Sequence, residues 1–148
     1  MTAALDTSFV VRYLTGSPAD TARQASEAID SQEQLQISDI ALAEIAHILT
    51  RVYRVPREVA ADQLIDFVRK DNISLAGLTK DLAVQGFLKC QPSGRVSFAD
   101  ALIWTAVRSA GSDSIYSFDQ RFPDDGLEVR SSEFGLRSAI PVQLPLCR

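Results

Sequence analysis

One histidine and two cysteines in 148 residues, with lysine at only three positions, close off several kinds of chemistry. A His-based zinc site or a Ser-His-Asp triad could rest only on His47. Cys90 and Cys147 lie far apart, with no CxxC partner or metal-type spacing, and read as reduced thiols in a cytosolic setting. No apolar run reaches the roughly 18 residues that a membrane span needs. The start, Met1 to Asp6, lacks the basic, apolar, then small-residue order of a secretory signal, so a cytoplasmic location is expected. Any hydrolytic chemistry here therefore falls to carboxylates and a metal.

A net charge of −4 and a pI near 4.9 argue against a generally basic surface for nucleic acid. A local basic site is still open. Twelve arginines stand against three lysines, and Arg51, Arg54 and Arg57 fall close together. The planar fork of arginine suits phosphate better than a point charge does.

A chain of this length with 46% hydrophobic residues is expected to form one domain with a full core. It contains no repeat, low-complexity tract or linker. Ala3-Ala4-Leu5, Leu35-Gln36-Ile37, Ile73-Ser74-Leu75, Ser114-Ile115-Tyr116 and Leu127-Glu128-Val129 read as strands. Helical patterns lie between them, near 8–14, 18–30, 39–54, 57–70, 79–89 and 98–110. This alternation predicts an α/β fold, a mainly parallel sheet covered by helices on both faces. Pro18 suits a first helical turn, and Ser38 or Asp39 can cap the next helix. Pro56 is expected to stop the helix carrying Arg51 and Arg54, and Gly111 to end the 98–110 helix. Gln91-Pro92-Ser93-Gly94 reads as a turn, and residues 124–148 as a strand followed by an extended, proline-broken tail.

Four acids stand where such a fold places ligands, beyond the carboxyl ends of the strands or on helices that converge there. Asp6 follows the first strand, where it serves either as a site carboxylate or as an N-cap for the next helix. Glu44 lies at the edge of the polar face of the 39–54 helix, in line with His47 and Arg51. It reads either as an exposed helix glutamate or as a ligand with two possible phosphate contacts above it. Asp100 fits a capping box with Ser97, yet it also borders the apolar stripe of Ile103 and Val107, where a carboxylate wants a partner or a metal. Asp119 follows the 114–116 strand and reads as a site residue or a turn aspartate before Gln120. Carboxylates gathered in one pocket repel, a divalent cation relieves that repulsion, and oxygen-only donors favour Mg²⁺ or Mn²⁺. The corresponding chemistry is metal-assisted phosphodiester hydrolysis.

Leu5-Asp6-Thr7-Ser8, Ala43-Glu44-Ile45, Ser97-Phe98-Ala99-Asp100-Ala101-Leu102-Ile103 and Ser117-Phe118-Asp119 occur in the order and spacing of PIN-domain proteins. The chain resembles the VapC-type toxins of bacterial and archaeal toxin–antitoxin pairs, from the first strand to about Phe122. The resemblance implies a three-layer α/β/α domain acting as a Mg²⁺- or Mn²⁺-dependent endoribonuclease. Asp6, Glu44 and Asp100 would be its core metal ligands, and Asp119 a fourth acid, often acting through water. Ser117 matches the hydroxyl residue near the last acid, and Thr7 or Ser8 the one beside the first. The resemblance further implies a homodimer and a cognate antitoxin that inserts a segment, often bearing an arginine, into the acidic pocket. The tail beyond Asp124, with Pro141 and Pro145, is the one departure.

Other readings compete with this one. A PIN-like module could bind RNA or a protein without cutting, or the same chemistry could act on single-stranded DNA. An aspartate-phosphorylated domain fits less well. A dehalogenase-like phosphatase would want a second aspartate where Ser8 stands, and a signalling receiver would want a lysine after a late strand, whereas none follows Lys89.

Overall fold

The computed structural model describes residues 2–92, 96–132 and 135–136. The 140–146 tail, Cys147 and the Ser93-Gly94 half of the expected turn lie outside the described residues.

Strand β1 (Ala3–Ala4) leads into α1 (Thr7–Thr15) and α2 (Ala19–Ile29), and β2 (Leu35–Ile37) into α3 (Asp39–Arg51) and α4 (Arg57–Val68). Then come β3 (Ile73–Leu75), α5 (Lys80–Cys90), α6 (Phe98–Ser109), β4 (Ser114–Tyr116), β5 (Glu128–Ser132) and β6 (Gly135–Leu136). Hydrogen bonds join the strands into two ladders, β1-β2-β3 and β4-β5-β6. Every pairing is parallel except β5 with β6, so the mainly parallel α/β sheet expected from the sequence is present. The short β6 had no signal in the sequence, because two residues carry no readable period.

Local chemistry sets most boundaries. The Ser38 hydroxyl accepts the Ala41 N–H, and the Ser97 hydroxyl accepts the Asp100 N–H, each satisfying a donor left open at a helix start. Gly111 takes the left-handed conformation at φ 82°, with its N–H on the Arg108 carbonyl and the Ser112 N–H on the Val107 carbonyl. That is the glycine stop expected for α6. Two expectations need correction. The helix that carries Arg51 ends there rather than at Arg54, because Arg54 sits in the left-handed region at φ 56° and turns the chain before Pro56 is reached. Pro18 lies just ahead of α2, as its N-cap, rather than inside the first turn.

The main core gathers Val10, Leu42, Ile45, Leu49, Leu64, Phe67 and Phe87 from α1, α3, α4 and α5 with Ile37 and Ile73 from the sheet. A second cluster forms around Trp104 with Phe122, Leu127 and Val129. Helix α6 takes part in both, through Ala101 on one side and Trp104 on the other. The indole N–H of Trp104 donates to the Asp125 carbonyl at 3.0 Å. Lys89 and Arg108 lie over its ring, at 4.8 and 5.5 Å from the centroid, so the loop after β4 is tied down on α6. Arg57 is committed to the fold as well. It donates to the Cys90 and Val96 carbonyls and covers the Phe98 ring, so it is not a free cation for phosphate. Cys90 is buried, and burial pushes its thiol up to about 11, in keeping with an inert structural cysteine.

Helices α5 and α6 pack closely at Gly86. A Cβ there would meet the Thr105 hydroxyl at 2.7 Å and the Ala101 carbonyl oxygen at 3.1 Å. Thr105 is fully buried and donates to Ala101, so it has little freedom to yield. Gly86→Ala should therefore destabilise the protein by about 1–3 kcal/mol in urea denaturation, against the usual gain of alanine in a helix. An unchanged midpoint would mean that the two helices part without cost.

Candidate active site

Asp6 stands at the carboxyl end of β1, whose direction is fixed by parallel pairing with β2. It occupies the N-cap position of α1, but its side chain makes no capping hydrogen bond. Instead the Ser8 hydroxyl donates to its carboxylate at 2.8 Å. That bond first, with the nearby Thr7 backbone N–H adding to it, holds the Asp6 carboxyl below the usual range. Asp6 is thus kept charged and turned outward, and the plain capping role does not account for it.

Glu44 lies mid-way along α3, the helix that follows β2, and is exposed. The buried Thr7 hydroxyl donates to its carboxylate at 3.3 Å. Asp6 and Glu44 line one cleft of about 430 Å³ together with Thr7, Ser8, Val11, Arg12, Pro18, Ile48, Val52 and Tyr53. Glu44 is therefore more than a solvated helix glutamate: a threonine next to the first acid orients it.

Asp100 and Asp119 form a second pair. Helix α6 runs into β4 through a tight turn, so its first turn lies at the end of the sheet where β4 finishes, and Asp119 follows β4 there. The two carboxyls are near enough for the charge of Asp119 to act on Asp100. Partial burial first, and the charge of Asp119 next, push Asp100 above the usual carboxylate range. Asp119 is held low by the Arg121 backbone N–H first and by its guanidinium after that. Its carboxylate accepts that N–H at 2.8 Å, and the Ser117 hydroxyl accepts the Asp119 N–H at 3.1 Å. The turn role read for Asp119 is real and coexists with its place beside Asp100. The Ser97 cap is real too, although it engages the backbone of Asp100.

The structure thus brings the four acids together as two pairs. Among the described residues no group of three or more His, Cys, Asp or Glu side chains is gathered closely enough to hold a metal ion. The pairs are linked through α3 and α6, where Ala43 and Ala99, the residues before Glu44 and Asp100, line one groove. His47 and Arg51 are exposed on α3 but do not line the cleft beside Glu44. Ile48 and Val52 do, at the four-residue spacing from Glu44. The cation in the cleft is Arg12, which the sequence reading passed over. Its signal was the four-residue step from Ser8 along α1.

A family model for the PIN domain matches residues 3–125. The chain belongs to the PIN-domain family. That family is one of nucleases, and the match spans Asp6, Glu44, Asp100 and Asp119. A search of curated proteins gives no match. No helix among the described residues is long and apolar enough to cross a membrane.

The coupling between Asp100 and Asp119 predicts a shift with a definite sign. In Asp119→Asn a negative neighbour is lost, the ionised form of Asp100 becomes less costly, and its pKa should fall toward the ordinary value. Burial, the larger cause, should keep it somewhat raised. An NMR titration of the metal-free protein checks this, and an unmoved Asp100 would show that the two carboxyls do not interact.

Proposed function

We propose that the protein is a Mg²⁺- or Mn²⁺-dependent endoribonuclease, the toxin of a toxin–antitoxin pair, with Asp6, Glu44, Asp100 and Asp119 as its metal-holding acids. The observation that carries the reading is the two pairs of acids, beyond the carboxyl ends of parallel strands and on the adjoining helices, inside the span of the PIN match. All the donors are carboxylate oxygens, which suits a hard divalent ion rather than zinc. The raised Asp100 fits as well, because a carboxylate made costly by partial burial and then by a like-charged neighbour is what a bound cation would relieve.

When bound, a divalent ion there would lower the pKa of a water and polarise the scissile phosphate. The chain supplies the rest. Ser8 and Thr7 fix the orientations of Asp6 and Glu44, and Ser117 with Arg121 fixes Asp119. Asp119 faces Asp100 and completes the set at its outer edge, while Arg51 and His47 offer phosphate contacts further along α3.

The apolar groove between α3 and α6, with Ile40 and Ile103 well exposed, supports a homodimer or an antitoxin docking there. A cytoplasmic setting goes with this reading. Uncut binding, or cleavage of single-stranded DNA in place of RNA, are the alternatives that the same assay separates.

The test is cleavage of RNA and of matched single-stranded DNA with Mg²⁺, with Mn²⁺, with EDTA, and in Asp6→Asn and Asp100→Asn. RNA cleavage should be lost in EDTA and fall at least about 100-fold in each variant, the scale of losing an essential group. Mn²⁺ should also raise the thermal midpoint of the wild type, by about 2.7 kcal/mol of stabilisation at a hundred times its Kd, and raise it less in either variant. Equal cleavage in EDTA and in Asp6→Asn would defeat the metallonuclease reading.

A further inference from the structure

The cleft beside Asp6 and Glu44 has a composition that metal binding does not explain. Its other walls are Val11, Pro18, Ile48, Val52 and Tyr53, with a single cation, Arg12. The Nε of Arg12 is buried and has no hydrogen-bond partner among the described residues. The ion pairs there join Lys70 to Asp30, Lys89 to Asp125, Arg121 to Asp119 and Arg130 to Glu128, so Arg12 pairs with neither acid of its own cleft. A guanidinium that lines a cleft without an ion pair can receive an anion with no partner to displace. Across the cleft Val52 and Tyr53 are 66% and 44% exposed, more than a side chain held by the core would be. They follow the end of α3, and the left-handed Arg54 turns the chain directly after them, leaving the aromatic ring at the cleft rather than in the core.

We infer that this cleft is the substrate-strand subsite of the enzyme, in which Arg12 takes a backbone phosphate and Tyr53, flanked by Val52, stacks one unpaired base. The inference rests on the nuclease reading above and names which part of the substrate the cleft holds. A fork-shaped donor suits a phosphate, and an exposed aromatic ring suits any base, because every base has a π-face. The cleft volume of about 430 Å³ is room for a nucleotide. On the nuclease reading the ligand class is single-stranded RNA, because only an unpaired base offers its face to Tyr53, and a phosphate held at Arg12 would lie in the same cleft as Asp6 and Glu44.

A fluorescein-labelled oligouridylate, read by anisotropy in EDTA so that it stays uncut, gives Kd, and the same oligomer with Mn²⁺ gives KM and kcat. Arg12→Gln should raise Kd about 5- to 100-fold and flatten its salt dependence by about one unit of slope. Tyr53→Ala should raise Kd by about 5- to 100-fold for oligouridylate but not for an abasic oligomer of equal charge, with Tyr53→Phe restoring most of the affinity. Arg23→Gln, an exposed arginine on α2 away from the cleft, should change neither. Far-ultraviolet circular dichroism and thermal melting verify folding, and the exposed Tyr53 gives a readout should Arg12→Gln not fold. If the wild type cleaves RNA while Arg12→Gln and Tyr53→Ala keep Kd within about twofold, the subsite is wrong and the nuclease stands. Equal losses on the abasic oligomer in Tyr53→Ala would overturn base stacking. A wild type that neither binds nor cuts RNA would overturn the inference together with the reading beneath it.

Discussion

Asp100 and Asp119 are held near each other, although partial burial and then the charge of Asp119 make Asp100 harder to ionise. Left to themselves, two half-buried carboxylates of like charge would swing apart into water. They stay together because their backbones are fixed on opposite sides by unrelated means. Asp100 sits in the capped first turn of α6, and Asp119 in a turn closed by Arg121 and Ser117. Around them Trp104 clamps the loop after β4 onto α6, with Phe122 and Leu127 packed against the same ring. The core on this side of the molecule is thus arranged to hold two like charges at one end of a sheet.

The other pair is stabilised differently. Asp6 and Glu44 each receive a hydroxyl hydrogen bond from one of the two residues between β1 and the body of α1. Thr7 is buried, so its hydroxyl is oriented by packing, whereas Ser8 is exposed and binds its own neighbour. A short Asp-Thr-Ser run therefore sets two carboxylates that are 38 residues apart in sequence, by the separation of Asp6 and Glu44. The surroundings act on these acids in opposite directions: Asp6 and Asp119 are held low, and Asp100 is pushed up. Titratable groups whose surroundings drive them in opposite directions are typical of functional sites, although structural ion pairs also do this.

Most of the fold was legible because its elements are made by local rules. Strands at 35–37, 73–75 and 114–116 and the starts of α3, α4 and α6 follow from alternation, from Ser38 and Ser97 caps and from prolines placed ahead of helices. The readings that needed correction are those where a long-range contact decides. The helix carrying Arg51 looked continuous to Arg54 because nothing in the sequence marks a left-handed arginine. Arg57 looked like part of a basic cluster, but its partners are carbonyls at positions 90 and 96, brought near only by the packing of α4. The four acids were legible as members of one set through the family motif. Their division into two pairs was not, since it depends on which helix start meets which strand end.

The same distinction explains why Arg12 was passed over while Arg51 was noticed. Helical spacing from Glu44 reaches both 47–51 and 48–52, and the sequence cannot say which of these lines turns toward the cleft. Packing decides. Leu42, Ile45 and Leu49 are buried under α3, which rotates Ile48 and Val52 toward α1 and leaves His47 and Arg51 facing outward. Once that rotation is fixed, the cleft is completed by α1, and the cation it presents is the one a single turn beyond Ser8. A positive charge within an acidic cleft, paired with neither acid, is then a feature of how the two helices meet, and its consequence is a site that can receive an anion without first breaking an ion pair.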